Sequence, residues 1–357
     1  MLQIKGIDHL ELYVGNAAQT AYFYRTAFGF TPAAIASLET GAVDRMSLVL
    51  QQNDIRMIVT SALSPESPIA QHVNLHGDSI KDIAFAVDDA AQAFEEATKR
   101  GARPVMEPTV FEQDGVRTVK ATIGAYSGDT VHSLVQRTPD APLLPNSAPI
   151  PLPPATNSIG LVAFDHAAIC VEAGMMQPWV DFYVNVMDFH VAHQEDVATE
   201  YTGMYSKQVE NAAGTVKFPI AEPAPSKRKS QINEYLNFHH GPGVQHVALL
   251  SDSICDTVRA LRDCGIDFLR APATYYDRLE ERVGSVSTDV SLLRELNVLV
   301  DRDEWGHLLQ VFTKPLHARP TVFMEIIQRQ GARGFGGGNI RSLFQAIESE
   351  QAARGTL

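Results

Sequence analysis

The chain has 357 residues, 45% hydrophobic and 20% charged, enough for two domains with proper cores and too apolar for a disordered chain. A net charge of −13 excludes a general nucleic-acid binder, which needs a basic surface to displace counterions from phosphates; Lys227-Arg228-Lys229 reads as a solvated loop. No apolar run reaches the ~20 residues of a membrane span, and MLQIKGIDHLELYV lacks the basic-then-apolar order of a signal peptide.

In chain order, GIDHLELYVGNAAQTAYFYRTAFGF (residues 6–30) reads as a short alternating strand containing Asp8-His9, a helix bearing aromatics and a Gly-Phe stop. DSIKDIAFAVDDAAQAFEEATKRGAR (78–103) reads as a strand, an Asp-rich N-cap and a helix ending at glycine. DTVHSLVQR (129–137) is a strand of alternating pattern. TPDAPLLPNSAPIPLPPATNS (138–158) then places seven prolines in twenty-one residues. Proline fixes φ and removes the backbone donor, so this stretch predicts an extended linker.

Beyond it the same order returns. AFDHAAICVEAGMMQPWVDFYVNVMDFH (163–190) repeats strand, aromatic helix and stop; GPGVQHVALLSDSICDTVRALRDCGID (241–267) repeats strand, Asp-bearing cap and helix; TVFMEIIQR (321–329) repeats the strand. A repeat of this length predicts duplication of a βαβββ unit, two units per half, hence an α+β fold with strongly curved mixed sheets around a cavity. The halves are expected at residues 1–137 and 159–357. Three cysteines (Cys170, Cys255, Cys264) form neither a CxxC pair nor an even disulfide framework, which suits a reducing compartment, the cytoplasm.

Laid over each other, the halves align His166, His246 and Glu325 with His9, Asp82 and Ser133. Two histidines and a glutamate on three separate strands meet the requirement of a 2-His-1-carboxylate iron site with one face open; the first half lacks the set and is expected to be a copy without metal. A lone strand histidine is more often a core or surface residue. A carboxylate amid Phe323, Met324, Ile326 and Ile327 is harder to explain without a partner, because an unpaired buried charge is costly. Zinc or nickel could use the same ligand types. No phosphate loop, CxxC zinc site or Ser-His-Asp pattern stands out.

The stretches ATEYTGMYSK, KFPIAEPAPSKRKSQINEYL, GVQHVAL, YYDRL, LLQVFTKP, VFMEIIQR and GFGGGNIRSLFQAIE resemble the arylpyruvate dioxygenase branch of the vicinal-oxygen-chelate superfamily, most densely after residue 160. The resemblance implies Fe(II) on His166, His246 and Glu325, 4-hydroxyphenylpyruvate and O₂ as substrates, a homo-oligomer (dimer or tetramer), and a C-terminal helix closing over the site. It implies no membrane or nucleic-acid partner. Members of the branch form either homogentisate, in tyrosine breakdown, or 4-hydroxymandelate, a precursor for peptide antibiotics, depending on which substrate carbon meets the activated oxygen.

The homogentisate group carries G-N-F where this chain has Asn339-Ile340, and P-I-N-E-P where it has Pro219-Ile220-Ala221-Glu222-Pro223. Both departures side with the mandelate group; the GFGGGN and FPIxEP frames and Phe344 side with the other. Ser206, Gln231, Gln245 and Gln310 match polar pocket positions, and Phe312, Phe323 and Phe335 aromatic ones, with Phe335 against the substrate ring. Ile340, Leu343, Phe344 and Ile347 follow i, i+3, i+4, i+7 spacing, with Asn339 the expected N-cap. Two rival classes remain open: an extradiol catechol dioxygenase, which also uses His, His and Glu, and a metal-free binding module, which would lack the full ligand set.

Overall fold

A computed structural model describes residues 2–113, 115–138, 141–151, 159–272 and 274–356. The first half runs β1 (Ile4–Tyr13), α1 (Ala17–Phe28), β2 (Thr31–Ala36), β3 (Arg45–Gln52), β4 (Ile55–Ala62), α2 (Pro68–His76), β5 (Ser79–Val87), α3 (Ala90–Lys99), β6 (Pro104–Gln113), β7 (Val116–Gly124) and β8 (Val131–Arg137). A two-residue strand, β9 (Ala148–Pro149), follows. The second half runs β10 (Leu161–Cys170), α4 (Met176–Asn185), β11 (His190–Ala198), β12 (Gly203–Glu210), β13 (Lys217–Pro223), α5 (Gln231–His239), β14 (Gly243–Ser251) and α6 (Ile254–Asp263). Short helices α7 (Thr274–Asp277), α8 (Leu279–Val283) and α9 (Val290–Leu296) precede β15 (Leu299–Arg302), β16 (His307–Phe312), β17 (Phe323–Gln330) and α10 (Gly337–Arg354).

Each half is therefore βαβββ twice, with a helix (α2 or α5) between the units. The strands form two sheets of like order, β6-β7-β8-β5-β1-β4-β3-β2-β9 and β11-β12-β13-β10-β14-β17-β16-β15. In both, an antiparallel central pair (β1/β5, β10/β14) is flanked by parallel partners (β4 and β8, β13 and β17). The mixed, curved, duplicated α+β fold expected from the repeat is the one observed.

The repeat is physical as well as topological. α3 buries Ala90, Ala93, Phe94 and Ala97, and α6 buries Ile254, Thr257, Val258 and Leu261, the same i, i+3, i+4, i+7 face on each sheet. Full burial of Ile254, Val258 and Leu261 is worth about 2 kcal/mol each. Asp89 caps α3 by accepting from the Gln92 amide. Residues 138–158, expected to be an extended linker, are folded onto the first sheet in part: Ala148 and Pro149 pair with Ile35 and Ala34 at its edge, a place that tolerates proline. Residues 139–140 and 152–158 of that stretch lie outside the described residues.

A shared aromatic core joins the halves. His132 of β8 stacks on Phe85 and Phe218, and its ring nitrogens lie 2.9 Å from the Tyr183 hydroxyl and 3.1 Å from the Ile83 carbonyl. Burial pushes this imidazole down to about 4, so it is neutral, donating to Ile83 and accepting from Tyr183. Among the described residues no helix is long and apolar enough to cross a membrane.

Asp8 shows how tightly the first half is tied. It pairs with His9 Nδ1 at 2.6 Å and with Arg137 on β8, both within the sheet. Burial pushes its carboxyl up, but His9 and Arg137 outweigh that and hold it at about 2. Its contribution is thus complete above the ordinary carboxylate pKa of about 4 and is lost as pH falls toward 2. Arg137→Ala, which leaves Asp8 buried with half its partners, should cost on the order of 3 kcal/mol in urea unfolding at neutral pH. The deficit should shrink as Asp8 protonates in acid.

Candidate metal centre

The second sheet's register brings the expected ligands onto one face. Across the central strands His166 of β10 lies opposite Ala248 of β14, and Ala248 opposite Glu325 of β17. His246 precedes Ala248 by two residues, so it projects from the same face. The Glu325 carboxylate, 1% exposed, lies 3.1 Å from His166 Nε2 and 3.5 Å from His246 Nε2 through its Oε2. Three donors converge on one point inside an apolar strand environment. The hard oxygen and two imidazoles fit Fe(II), with the cavity side left open.

Supporting contacts fix those donors. Asp165 and His166 are adjacent in sequence, yet Asp165 Oδ1 sits 2.8 Å from His166 Nδ1. Neighbours on a regular strand point to opposite faces; a β-bulge between Phe164 and His166 removes that restriction. Arg329 of β17 clamps Asp165 with Nε and Nη2 at 2.6 and 2.7 Å. Burial opposes the charge on Asp165, but Arg329 and His166 hold it well below the usual carboxylate range. It therefore accepts the hydrogen bond from Nδ1–H and leaves Nε2, the nitrogen on the Glu325 side, as the one that can ligate an ion between them. Burial holds the His246 imidazole well below its ordinary pKa, in the neutral form that ligates. Phe323 stacks on that ring at 4.9 Å.

The other carboxylate oxygen, Glu325 Oε1, accepts from Gln310 Nε2 at 2.8 Å. Because a carboxylate only accepts, Gln310 must present its amide nitrogen there and its Oε1 on the other side. That oxygen accepts from Asn339 Nδ2 at 2.8 Å, and Asn339 Oδ1 accepts from the Tyr275 hydroxyl at 2.6 Å. A continuous polar chain thus links the carboxylate to α10.

Eleven of the thirteen expected site residues line one cavity: His166, His246, Glu325, Ser206, Ala221, Gln231, Gln245, Gln310, Phe312, Phe335 and Ile340. Phe335 meets His166 edge-on at 4.7 Å. Phe323 and Asn339 are not cavity walls; Phe323 backs His246, and Asn339 is the middle of the polar chain. Asn339 is also not the N-cap. Gly336, at φ 74°, stands at the N-cap of α10, and Asn339 lies inside the helix, wholly buried. A left-handed turn at that point favours glycine, and the Asn339 amide is consumed by Gln310 and Tyr275.

The reading of the sequence missed Asp165 and Arg329, although the repeat carries their signal: Asp8, His9 and Arg137 form the same trio in the first half, with a bulge between Ile7 and His9. There Asp82 accepts from the Ser133 hydroxyl and backbone amide and pairs with Lys120 at 3.5 Å, so a cation-bearing side chain and hydrogen bonds satisfy its oxygens. His193 and Glu195 of β11 were also missed. Both line the cavity, and burial raises the Glu195 carboxyl where it abuts Gly337 at the start of α10.

The Glyoxalase/Bleomycin resistance protein/Dioxygenase superfamily model matches residues 6–142 and 163–311. The chain is 40% identical to a 4-hydroxyphenylpyruvate dioxygenase of Yarrowia lipolytica, over 99% of this chain and 94% of that one. It is 42% identical to one of Danio rerio, over 98% and 91%. Among solved structures, a triple mutant of 4-hydroxymandelate synthase from Streptomyces coelicolor superposes with a TM-score of 0.89 at 39% identity, over 98% of this chain and all 100% of that one.

Asp165→Asn keeps the side chain's size but loses the charge that orients His166. Anaerobic Fe(II) titration of this variant should show affinity reduced by about ten- to a hundredfold, with the fold retained by circular dichroism. Unchanged affinity would show that His166 orients itself.

Proposed function

Because the chain belongs to the 4-hydroxyphenylpyruvate dioxygenase family of Fe(II)-dependent enzymes, we propose that it decarboxylates 4-hydroxyphenylpyruvate with O₂ and hydroxylates the benzylic carbon, releasing 4-hydroxymandelate and CO₂. Bound Fe(II) supplies chelation of the 2-oxo acid and electrons for O₂. His166, His246 and Glu325 would hold it. The chain's own side chains do the rest: they position the substrate, keep water out and choose the carbon that reacts.

Gln231, Gln245 and Ser206 lie along the cavity as amide and hydroxyl groups that can meet a phenol or a carboxylate. The Gln231 Oε1 is buried with no protein partner, consistent with a site awaiting a hydroxyl donor. Phe335, edge-on to His166, offers its face to an aromatic ring beside the ligands. α10 seals the opposite side with Ile340, Leu343 and Phe344. Its far end is tied down: buried Glu348 accepts from Thr199 at 2.5 Å and from Thr202, and Arg354 pairs with Glu234 at 2.8 Å.

One observation carries the choice of product. Ile340 and Ala221, the two departures from the homogentisate pattern, pack in the same apolar cluster, with Met204, Ile232 and Phe344, on one cavity wall. Smaller groups on that wall leave room for the substrate ring to tilt and bring its benzylic carbon toward the ligand face. A displacement of this kind changes the site of reaction without any change of catalytic group. Formation of homogentisate is the second reading, favoured by Phe344 and the GFGGGN frame.

An assay with Fe(II), ascorbate, O₂ and 4-hydroxyphenylpyruvate should yield 4-hydroxymandelate. Its isomer homogentisate must be resolved by chromatography or NMR, since mass does not separate them. Ile340→Phe, alone or with Ala221→Asn, should move product toward homogentisate; an unmoved ratio would overturn the role given to that wall.

A further inference from the structure

Away from the iron-type ligands, a second convergence of metal-binding groups lies at the seam between the halves. His72 and His76 are one turn apart on α2, so both rings project from one face of the helix. Asp129, on the turn between β7 and β8, reaches them from the side. One ligand atom from each lies within 4.8 Å of the others.

The donor chemistry of His76 is the informative part. Its Nδ1 is 2.5 Å from the His239 carbonyl oxygen, which can only accept, so Nδ1 carries the hydrogen. In the neutral ring Nε2 is then a lone pair. It faces Asp129 Oδ2, another acceptor, at 2.9 Å. Something positive must lie between them. One proton would satisfy that single contact; a metal ion satisfies it and engages His72 as well. The backbone carbonyl on Nδ1 is the kind of outer partner that metal-bound histidines have.

The surroundings agree. His72 Nε2 lies 3.0 Å from the Ser79 hydroxyl, a group that can donate to the ring or turn aside. The His72 ring lies beside that of His76, with centroids 4.5 Å apart, so both face the same point. Lys81 donates to the Asp129 backbone carbonyl, which leaves both carboxylate oxygens for other partners. The two histidines are buried, whereas the Asp129 side chain is 55% exposed, giving an ion a way in from solvent. Among the described residues this and the His166 site are the two places where three such ligand atoms meet.

We propose that His72, His76 and Asp129 form a second metal site, for a divalent transition ion of the Zn(II) type, that braces the seam between the halves. Two imidazoles and a carboxylate, with a fourth place open to water, suit Zn(II). The ion would act on the second half through His76, which stacks on His239 at 4.4 Å. His239 ends α5, and Gln231 at the start of the same helix lines the catalytic cavity. The donor set of this site owes nothing to the reaction proposed at His166, His246 and Glu325.

The test is equilibrium dialysis of the chelator-stripped full chain against Zn(II), with bound metal measured by atomic emission. The wild-type chain should take two equivalents, His166→Ala one, and Asp129→Asn one. His76→Gln should also take one; should that buried variant fail to fold, the exposed Asp129→Asn decides alone. Loss of the second equivalent should coincide with loss of the rise in Tm that it produces. A wild-type chain that binds one equivalent, lost in His166→Ala and kept in Asp129→Asn, overturns the proposal and leaves a proton between His76 and Asp129. A second equivalent that persists in Asp129→Asn is adventitious and overturns it equally.

Discussion

A carboxylate set among the apolar residues at the start of β17 governs the architecture around it. Glu325 stands between Met324 and Ile326, almost without solvent, and a charge in that position survives only among donors and cations. One oxygen faces the two histidines; the other accepts from Gln310. From that second oxygen the constraint propagates outward through Gln310 to Asn339, so the position of α10 follows from the orientation of one amide. The same residue thus fixes the ligand face and the wall opposite it.

The sheet makes this possible because its register is set by pairs that have nothing to do with chemistry. Ala248 lies between His166 and Glu325, small enough to let both side chains lean over it. The parallel pairing of β14 with β17 brings in a residue remote in the chain, held by the aliphatic packing of Met324 and Ile326 in the core. Placement of the candidate ligands is a by-product of core packing, which is why they sit on strands rather than loops.

Much of this was legible in the sequence, for reasons that can be named. The duplicated order of strands and helices announces itself through recurring caps and apolar spacing, and the three candidate ligands stand out because they fall at matched points of the two copies. Residues whose meaning depends on a bulge or a turn did not announce themselves. On a regular strand Asp165 would face away from His166, and only the bulge brings the two together. Asn339 reads as a cap because asparagine usually is one, yet Gly336 adopts the left-handed turn and the amide is buried. His193 and Glu195 lie on a strand exposed for most of its length, where cavity-facing polar groups cannot be told from solvated ones.

The trio of aspartate, histidine and arginine, with its bulge, occurs in both halves at equivalent registers. Its presence in the half whose Asp82 is engaged by Ser133 and Lys120 gives it a mechanical job apart from any ion. In each half the aspartate–arginine pair ties the first strand to the last across the strand between them, as a girder does, whether or not the histidine beside it has anything to hold.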